Sequence, residues 1–270
     1  MSMISYLRAL QAVLVREVLR FVHQRERFVA ALVRPLVWLL VFAAGFRAAL
    51  GIAVQPPYET YITYETYILP GLVGMVQLFN GMQSSLSMVY DREMGSMRLL
   101  LVSPLRREFL LASKLLAGTA VSILQVYAFL LIAALFDIVV PPIGYLTVLP
   151  ALVVTGLMLG SIGMLFSSTI KQLENFAGVM NFVIFPTFFL SSALYPLWRM
   201  RESSELLWQI CSVNPFTHAV EVIRFALYGQ VAWESLGWVL LSMAVFLGLS
   251  FWAYNPARGL MPRKAGAGEG

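Results

Sequence analysis

The chain has 270 residues, 59% of them hydrophobic and 12% charged, with a mean hydropathy of +0.77, and one soluble core cannot enclose that much apolar surface, so lipid must cover the remainder. The lone Cys211 excludes an internal disulfide, and His23 and His218, without cysteine or clustered acids nearby, are too few for a metal site. The net charge of +5 is spread over short segments between apolar runs, where basic residues set membrane orientation rather than bind nucleic acid.

Residues 1–31 open the chain with Arg8, Arg16, Arg20, Arg25 and Arg27 scattered through them and no short apolar core leading to a small-residue cleavage site, so no cleaved signal peptide is expected. Leu7, Leu10, Leu14, Val18, Phe21 and Val22 alternate with the basic residues at helical spacing. That pattern predicts an amphipathic helix on the cytoplasmic membrane surface, or else a cytoplasmic extension of the first span.

A hydrocarbon core needs about 20 mostly apolar residues per helix. Six stretches meet that length, near 33–54, 68–89, 113–136, 145–169, 174–195 and 235–254. The expected architecture is an all-α integral membrane protein with six transmembrane helices in a domain over 32–255, followed by a cytoplasmic tail at 256–270. Six spans place both termini on one side. Arg34 and the N-terminal arginines, Arg92, Arg98, Arg106, Arg107, Lys114, Lys171, Arg258, Arg263 and Lys264 share that side, and only Arg47, Arg199, Arg201 and Arg224 fall on the other. The positive-inside rule makes the termini cytoplasmic.

The first outer loop carries a tandem, Tyr58-Glu59-Thr60-Tyr61 and Tyr64-Glu65-Thr66-Tyr67, expected to anchor at the interface or to stack on a sugar in an exit vestibule. Between the fifth and sixth stretches, 196–233 is too apolar for a free loop. Leu206, Leu207, Ile210 and Cys211 repeat on one helical face, Asn214-Pro215 reads as a cap and first helical residue, and Glu221 is spaced to meet Arg224. Two short re-entrant helices in the outer leaflet are expected there.

No Gly-x-x-x-x-Gly-Lys-Ser/Thr loop occurs, so the chain does not bind ATP by that motif. An ion-coupled carrier holds an ionisable side chain deep in the bilayer, whereas Asp137, Glu174, Arg34 and Arg47 fall toward helix ends. A membrane serine hydrolase needs a nucleophile elbow and a histidine, and Gly160-Ser161-Ile162-Gly163 offers neither. Gly156, Gly160, Gly163 and Ser167 instead form a small-residue ridge suited to close helix packing. The carrier and the membrane enzyme or scaffold therefore remain the weaker readings.

The segment Asp91-Arg92-Glu93-Met94-Gly95-Ser96-Met97-Arg98, with Leu99 to Val102, then Ser103-Pro104-Leu105-Arg106-Arg107, is a charged element, a glycine break, an apolar run too short to span, and a Ser-Pro helix start. By itself it is an ordinary basic loop. Its order of Arg92, Glu93, Gly95, Leu99, Leu100, Ser103, Pro104, Arg106 and Lys114 resembles the ABC-2 type permease family. So do Pro186, Leu190-Ser191-Ser192 and Pro196, and so does Asn214-Pro215 followed by Glu221 and Arg224.

That resemblance implies the transmembrane permease subunit of an exporter of drugs, lipo-oligosaccharides or polysaccharides in the bacterial inner membrane. It implies no nucleotide site in this chain: Mg-ATP would bind two copies of a separate ATPase subunit, with the permease itself paired as a homodimer. Asp91, Arg92, Glu93, Gly95, Arg98, Pro104 and Arg106 would form the coupling element that contacts the ATPase, and Asn214, Pro215, Glu221 and Arg224 would belong to the re-entrant segment.

A translocation path between two such subunits requires a polar stripe. Gln77, Asn80, Ser84 and Ser87 fall within about 80° of one another on a helix of 3.6 residues per turn, and Asn181, Phe185 and Phe188 share a face of the fifth stretch. These are the expected path residues, unless the polar ones serve hydrogen bonds between helices of one subunit.

Overall fold

A computed structural model describes residues 3–23, 25–46, 56–60, 62–93, 107–170 and 172–253. The described chain is helical: α1 (Met3–His23), α2 (Arg25–Phe46), α3 (Tyr64–Glu93), α4 (Arg107–Leu135), α5 (Gly144–Thr169), α6 (Leu173–Phe189), α7 (Leu197–Ser203), α8 (Glu205–Val213), α9 (Pro215–Ala226) and α10 (Trp233–Ala253). The long helix α3 is the centre of the bundle. It packs against α2, α4, α5, α6 and α9, and Tyr67, Ile68, Leu72, Val73, Leu78 and Met82 are all fully enclosed.

Helices α3 and α5 approach closely, and the sequence reason is glycine. A Cβ on Gly81 would stand 2.8 Å from Gly160 Cα, and one on Gly163 would stand 2.8 Å from Gly81 O. With hydrogens there, two backbones meet as packed transmembrane helices do. The small-residue ridge expected on this helix is therefore its packing face.

The six-span expectation is corrected. Among the described residues only Glu108–Leu135 of α4, Gly144–Thr169 of α5 and Trp233–Ala253 of α10 are long and apolar enough to cross a membrane. The other three stretches fail for separate reasons. In α2 the apolar run among the described residues is Leu32–Val41, too short to span; Arg25, Glu26 and Arg27 crowd the start of the helix, and residues 47–54 of the expected stretch lie outside the described residues. Helix α6 has 17 residues, which at 1.5 Å each reaches about 25 Å, short of a hydrocarbon core of about 30 Å. Its expected extension to 195 is diverted at Leu190, where Ser191 and Ser192 turn into polar contacts. Helix α3 has ample length, but Glu65, Gln77, Asn80, Ser84 and Ser85 lower its hydropathy, and protein rather than lipid surrounds it.

The two re-entrant helices are corrected as well, since no such pattern is present. Instead, α7, α8 and α9 follow one another at the end of the bundle where α3, α5 and α10 begin. Asn214 caps α9, accepting from Phe216 N at 3.0 Å while its amide donates to Thr187 O and Leu190 O at 2.8 and 2.6 Å. Pro215 occupies the first turn. Phe216, Ala219, Val220 and Ile223 then bury against α3, α5 and α10. Thr147 Oγ1 donates to Ala226 O at 2.6 Å, tying the end of α9 to the start of α5. Protein contacts, not a lipid leaflet, hold this helix.

Candidate functional site

The polar stripe of α3 points into the subunit. Gln77 is 1% exposed; its Nε2 donates to Leu152 O at 2.7 Å and its Oε1 accepts from Thr155 Oγ1 at 2.7 Å. Both partners lie on α5, so this amide joins two helices of one chain. Asn80 is also buried, and Ser84 is half-buried; the Ser87 side chain lies outside the described residues. Gln77 and Ser84 border a crevice shared with Ser85, Lys114, Thr119 and Ser122. Its volume of about 10 Å³ holds one water at most and passes no solute in this conformation.

The α6 residues divide. Asn181 is exposed, Phe185 is 37% exposed, and Phe188 is fully buried. Phe185 meets Phe79 of α3 edge-on with centroids 6.2 Å apart, and the Arg34 guanidinium lies over the other part of that cluster, 3.9 Å from the Phe79 centroid. The structure thus brings the α3 and α6 faces together through phenylalanine, while Gln77 faces α5 and Asn181 faces outward.

A polar knot forms at the end of the bundle where α9 lies. Arg224, 2% exposed, pairs with Glu221 one turn earlier, donates from Nη2 to Ser192 O at 2.9 Å, and sits 4.2 Å from the centroid of Tyr67. Tyr67 donates to the same carbonyl at 3.0 Å, and Ser192 Oγ donates to Glu221 Oε1 at 2.7 Å. Burial works against the charge of Arg224, but Glu221 and the facing Tyr67 and Tyr58 outweigh it and hold the guanidinium above its ordinary range. Burial likewise pushes the Tyr58 hydroxyl up, keeping it protonated. Tyr64 and Tyr67 are therefore core residues, 2% and 0% exposed, rather than interfacial anchors. The spacing of Glu221 and Arg224 revealed their pairing; the link to Ser192, and through it to Tyr67, 125 residues earlier in the chain than Ser192, had no local signal.

At the opposite end α3 finishes with Asp91, Arg92 and Glu93, and α4 starts at Arg107. Gly95, Arg98, Pro104 and Arg106 lie outside the described residues, as do the side chains of Asp91, Arg92 and Glu93. Helix α1 packs beside this end, with Tyr6 and Phe109 edge-on at 4.9 Å. Arg8 and Arg16 are exposed, Leu10, Leu14 and Val18 half-buried and Phe21 buried, whereas Leu7 is 59% exposed, so the apolar stripe of α1 faces the bundle from Leu10 onward. Among the described residues no three histidine, cysteine or acidic side chains stand close enough to share a metal.

Residues 8–228 match the model of the ABC-2 type transporter family. The chain is 29% identical over 240 residues to "Putative transport permease ycf38" of Cyanophora paradoxa, covering 86% of this chain and 76% of that protein. It is 28% identical over 210 residues to "Probable multidrug ABC transporter permease YbhR" of Escherichia coli (strain K12), covering 75% of this chain and 55% of that protein. A shorter similarity, 30% over 88 residues, relates it to "Nodulation protein J" of Rhizobium leguminosarum bv. viciae, covering 33% of each.

Proposed function

The chain belongs to the ABC-2 type transporter family and is a multi-pass membrane permease, and we propose that it is the membrane subunit of an exporter in the bacterial inner membrane. The match over 8–228 carries this reading. Two such subunits pair around a path, and two copies of a separate Mg-ATP-hydrolysing subunit drive them from the cytoplasmic side. The end of the bundle holding α1, Glu93 and the start of α4 is that side in this reading, because the basic residues of 1–34 and 92–114 flank it in the sequence, Arg107 and Lys114 among them at the start of α4. The cargo is a lipid-linked, glycan or hydrophobic molecule that leaves the cytoplasm or the inner leaflet. Co-purification of the chain with a Walker-motif ATPase, and ATP-dependent accumulation of such cargo in inverted vesicles, test the proposal. Isolation without any ATPase, or uptake of cargo into intact cells, overturns it.

Coupling in this reading runs through Asp91, Arg92, Glu93, Gly95, Arg98, Pro104 and Arg106. Charged side chains at the end of α3 suit charge-assisted contact with a soluble partner, and α3 is the helix that touches most of the bundle. Motion delivered at residue 93 therefore reaches α2, α5, α6 and α9 together. Glu93→Ala is expected to leave membrane insertion unchanged and to lower transport-stimulated ATP hydrolysis by roughly tenfold, the worth of one charge-assisted contact. Unchanged hydrolysis in reconstituted vesicles would make Glu93 a solvated charge.

The path reading keeps Asn80, Asn181 and Phe185 with the neighbouring Gln77, Ser84, Ser87 and Phe188, and it requires α3 and α6 to repack between inward- and outward-facing states. Asn80→Leu and Asn181→Leu together should reduce transport several-fold while the complex with the ATPase assembles normally. Normal transport by the pair would remove these faces from the path and leave the exporter reading standing.

A further inference from the structure

A second feature lies at the bundle end near the polar knot, apart from the path and the coupling element. Between α6, α7 and α8 a cleft of about 300 Å³ opens, within the size range of small-molecule sites. Phe189, Leu190, Leu207 and Cys211 give it apolar walls and Tyr195 a polar edge. Arg199 provides the single charge of the lining among the described residues.

The surroundings of that arginine differ from those of its neighbour. Arg201 pairs with Glu205 at 3.7 Å. Arg199 has no carboxylate among the described residues, and its guanidinium rests only near the Trp198 ring, 5.8 Å from the centroid. A half-buried cation beside an apolar cleft is complementary to an anion carried on a hydrocarbon chain.

Depth narrows the choice of anion. Helices α5 and α10, two of those able to cross a membrane, begin at this end of the bundle, so the cleft lies near the level where a bilayer's hydrocarbon meets its headgroups. The apolar surface continues beyond it along Leu206, Ile210 and Val213, exposed by 66%, 43% and 67%. Tyr195 and Trp198 are of the types that favour this layer.

We propose that this cleft binds an anionic phospholipid of the surrounding bilayer, with the phosphate on Arg199 and one acyl chain along Phe189, Leu190 and Leu207. The site needs only the membrane setting and is independent of what the permease transports or in which direction.

Native mass spectrometry of the full-length chain in detergent, with phosphatidylglycerol or phosphatidylethanolamine added, tests it. The unaltered chain should retain phosphatidylglycerol over phosphatidylethanolamine by roughly tenfold, the ratio one charge-assisted hydrogen bond supplies. Arg199→Gln should abolish that preference, and Arg201→Gln, which removes an equal charge already paired to Glu205, should preserve it. Leu207→Trp, which fills the cleft, should weaken retention of both lipids. An undiminished preference for phosphatidylglycerol in the Arg199→Gln chain overturns the proposal. So does efficient chain-to-chain crosslinking of Leu207→Cys, in a Cys211→Ala background, in native membranes, because a second copy would then occupy the cleft.

Discussion

Arg224→Met should destabilise the protein by about 3–5 kcal/mol, the range for removing one partner of a buried ion pair. The substitution leaves Glu221 facing Ser192 and Tyr67 without its cation, and it takes the Nη2 donor from Ser192 O. The side chain of Glu221 is only 19% exposed, so water replaces only part of what is lost. The paired change Glu221→Gln with Arg224→Met should recover most of the loss, since two apolar or neutral groups of similar shape need no desolvated charge. Denaturation by SDS of the purified chain, run as a double-mutant cycle, measures the coupling. Equal destabilisation by the single and double variants would show that Arg224 acts through packing on Tyr67 rather than through the pair.

This knot also shows where sequence reasoning reached and where it stopped. Asn214-Pro215 was legible as a cap because its signal is local: a side-chain acceptor two residues before the amide it satisfies. The i, i+3 spacing of Glu221 and Arg224 was legible for the same reason. The helix expected at 145–169 is found at Gly144–Thr169, its ends fixed by continuous apolarity.

What no single segment carries is its neighbour. Gln77 and Asn80 read as a polar stripe, but amphipathicity cannot say whether water, a partner subunit or Leu152 O receives the amide. Tyr64 and Tyr67 carry the composition of interfacial residues and are buried, because α9 and the turn at 190–195 fold over them. The expected span at 68–89 failed on the same ground. A run of apolar residues reports dehydration without telling protein from lipid, and α3, enclosed by other helices over most of its length, tolerates polar groups that a lipid-facing helix would not. The family assignment was legible because it rests on ordered motifs, not on packing.

Gly81→Ala should destabilise the α3–α5 pair by about 1–3 kcal/mol, the range for overpacking a filled interface. Its Cβ would meet Gly160 Cα at 2.8 Å, Gly160 N at 3.0 Å and Leu159 C at 3.2 Å. All three are backbone atoms of an apolar helix, so no rotamer change relieves the contact and the helices must separate. Separation would also stretch the Gln77 bonds to Leu152 and Thr155, one turn away on the same face. Gly178→Ala, Gly237→Ala and Gly248→Ala are the controls: no atom lies within 4 Å of the added carbon, and alanine in a helix interior should stabilise each by up to about 1 kcal/mol. Thermal melting of the four variants in one detergent separates a general glycine effect from a packing effect. If Gly81→Ala melts with the controls, the glycine contact does not set the distance between α3 and α5. If it melts earlier and also uncouples ATP hydrolysis from transport, α3 must stay seated on α5 for motion begun at Glu93 to reach the rest of the bundle.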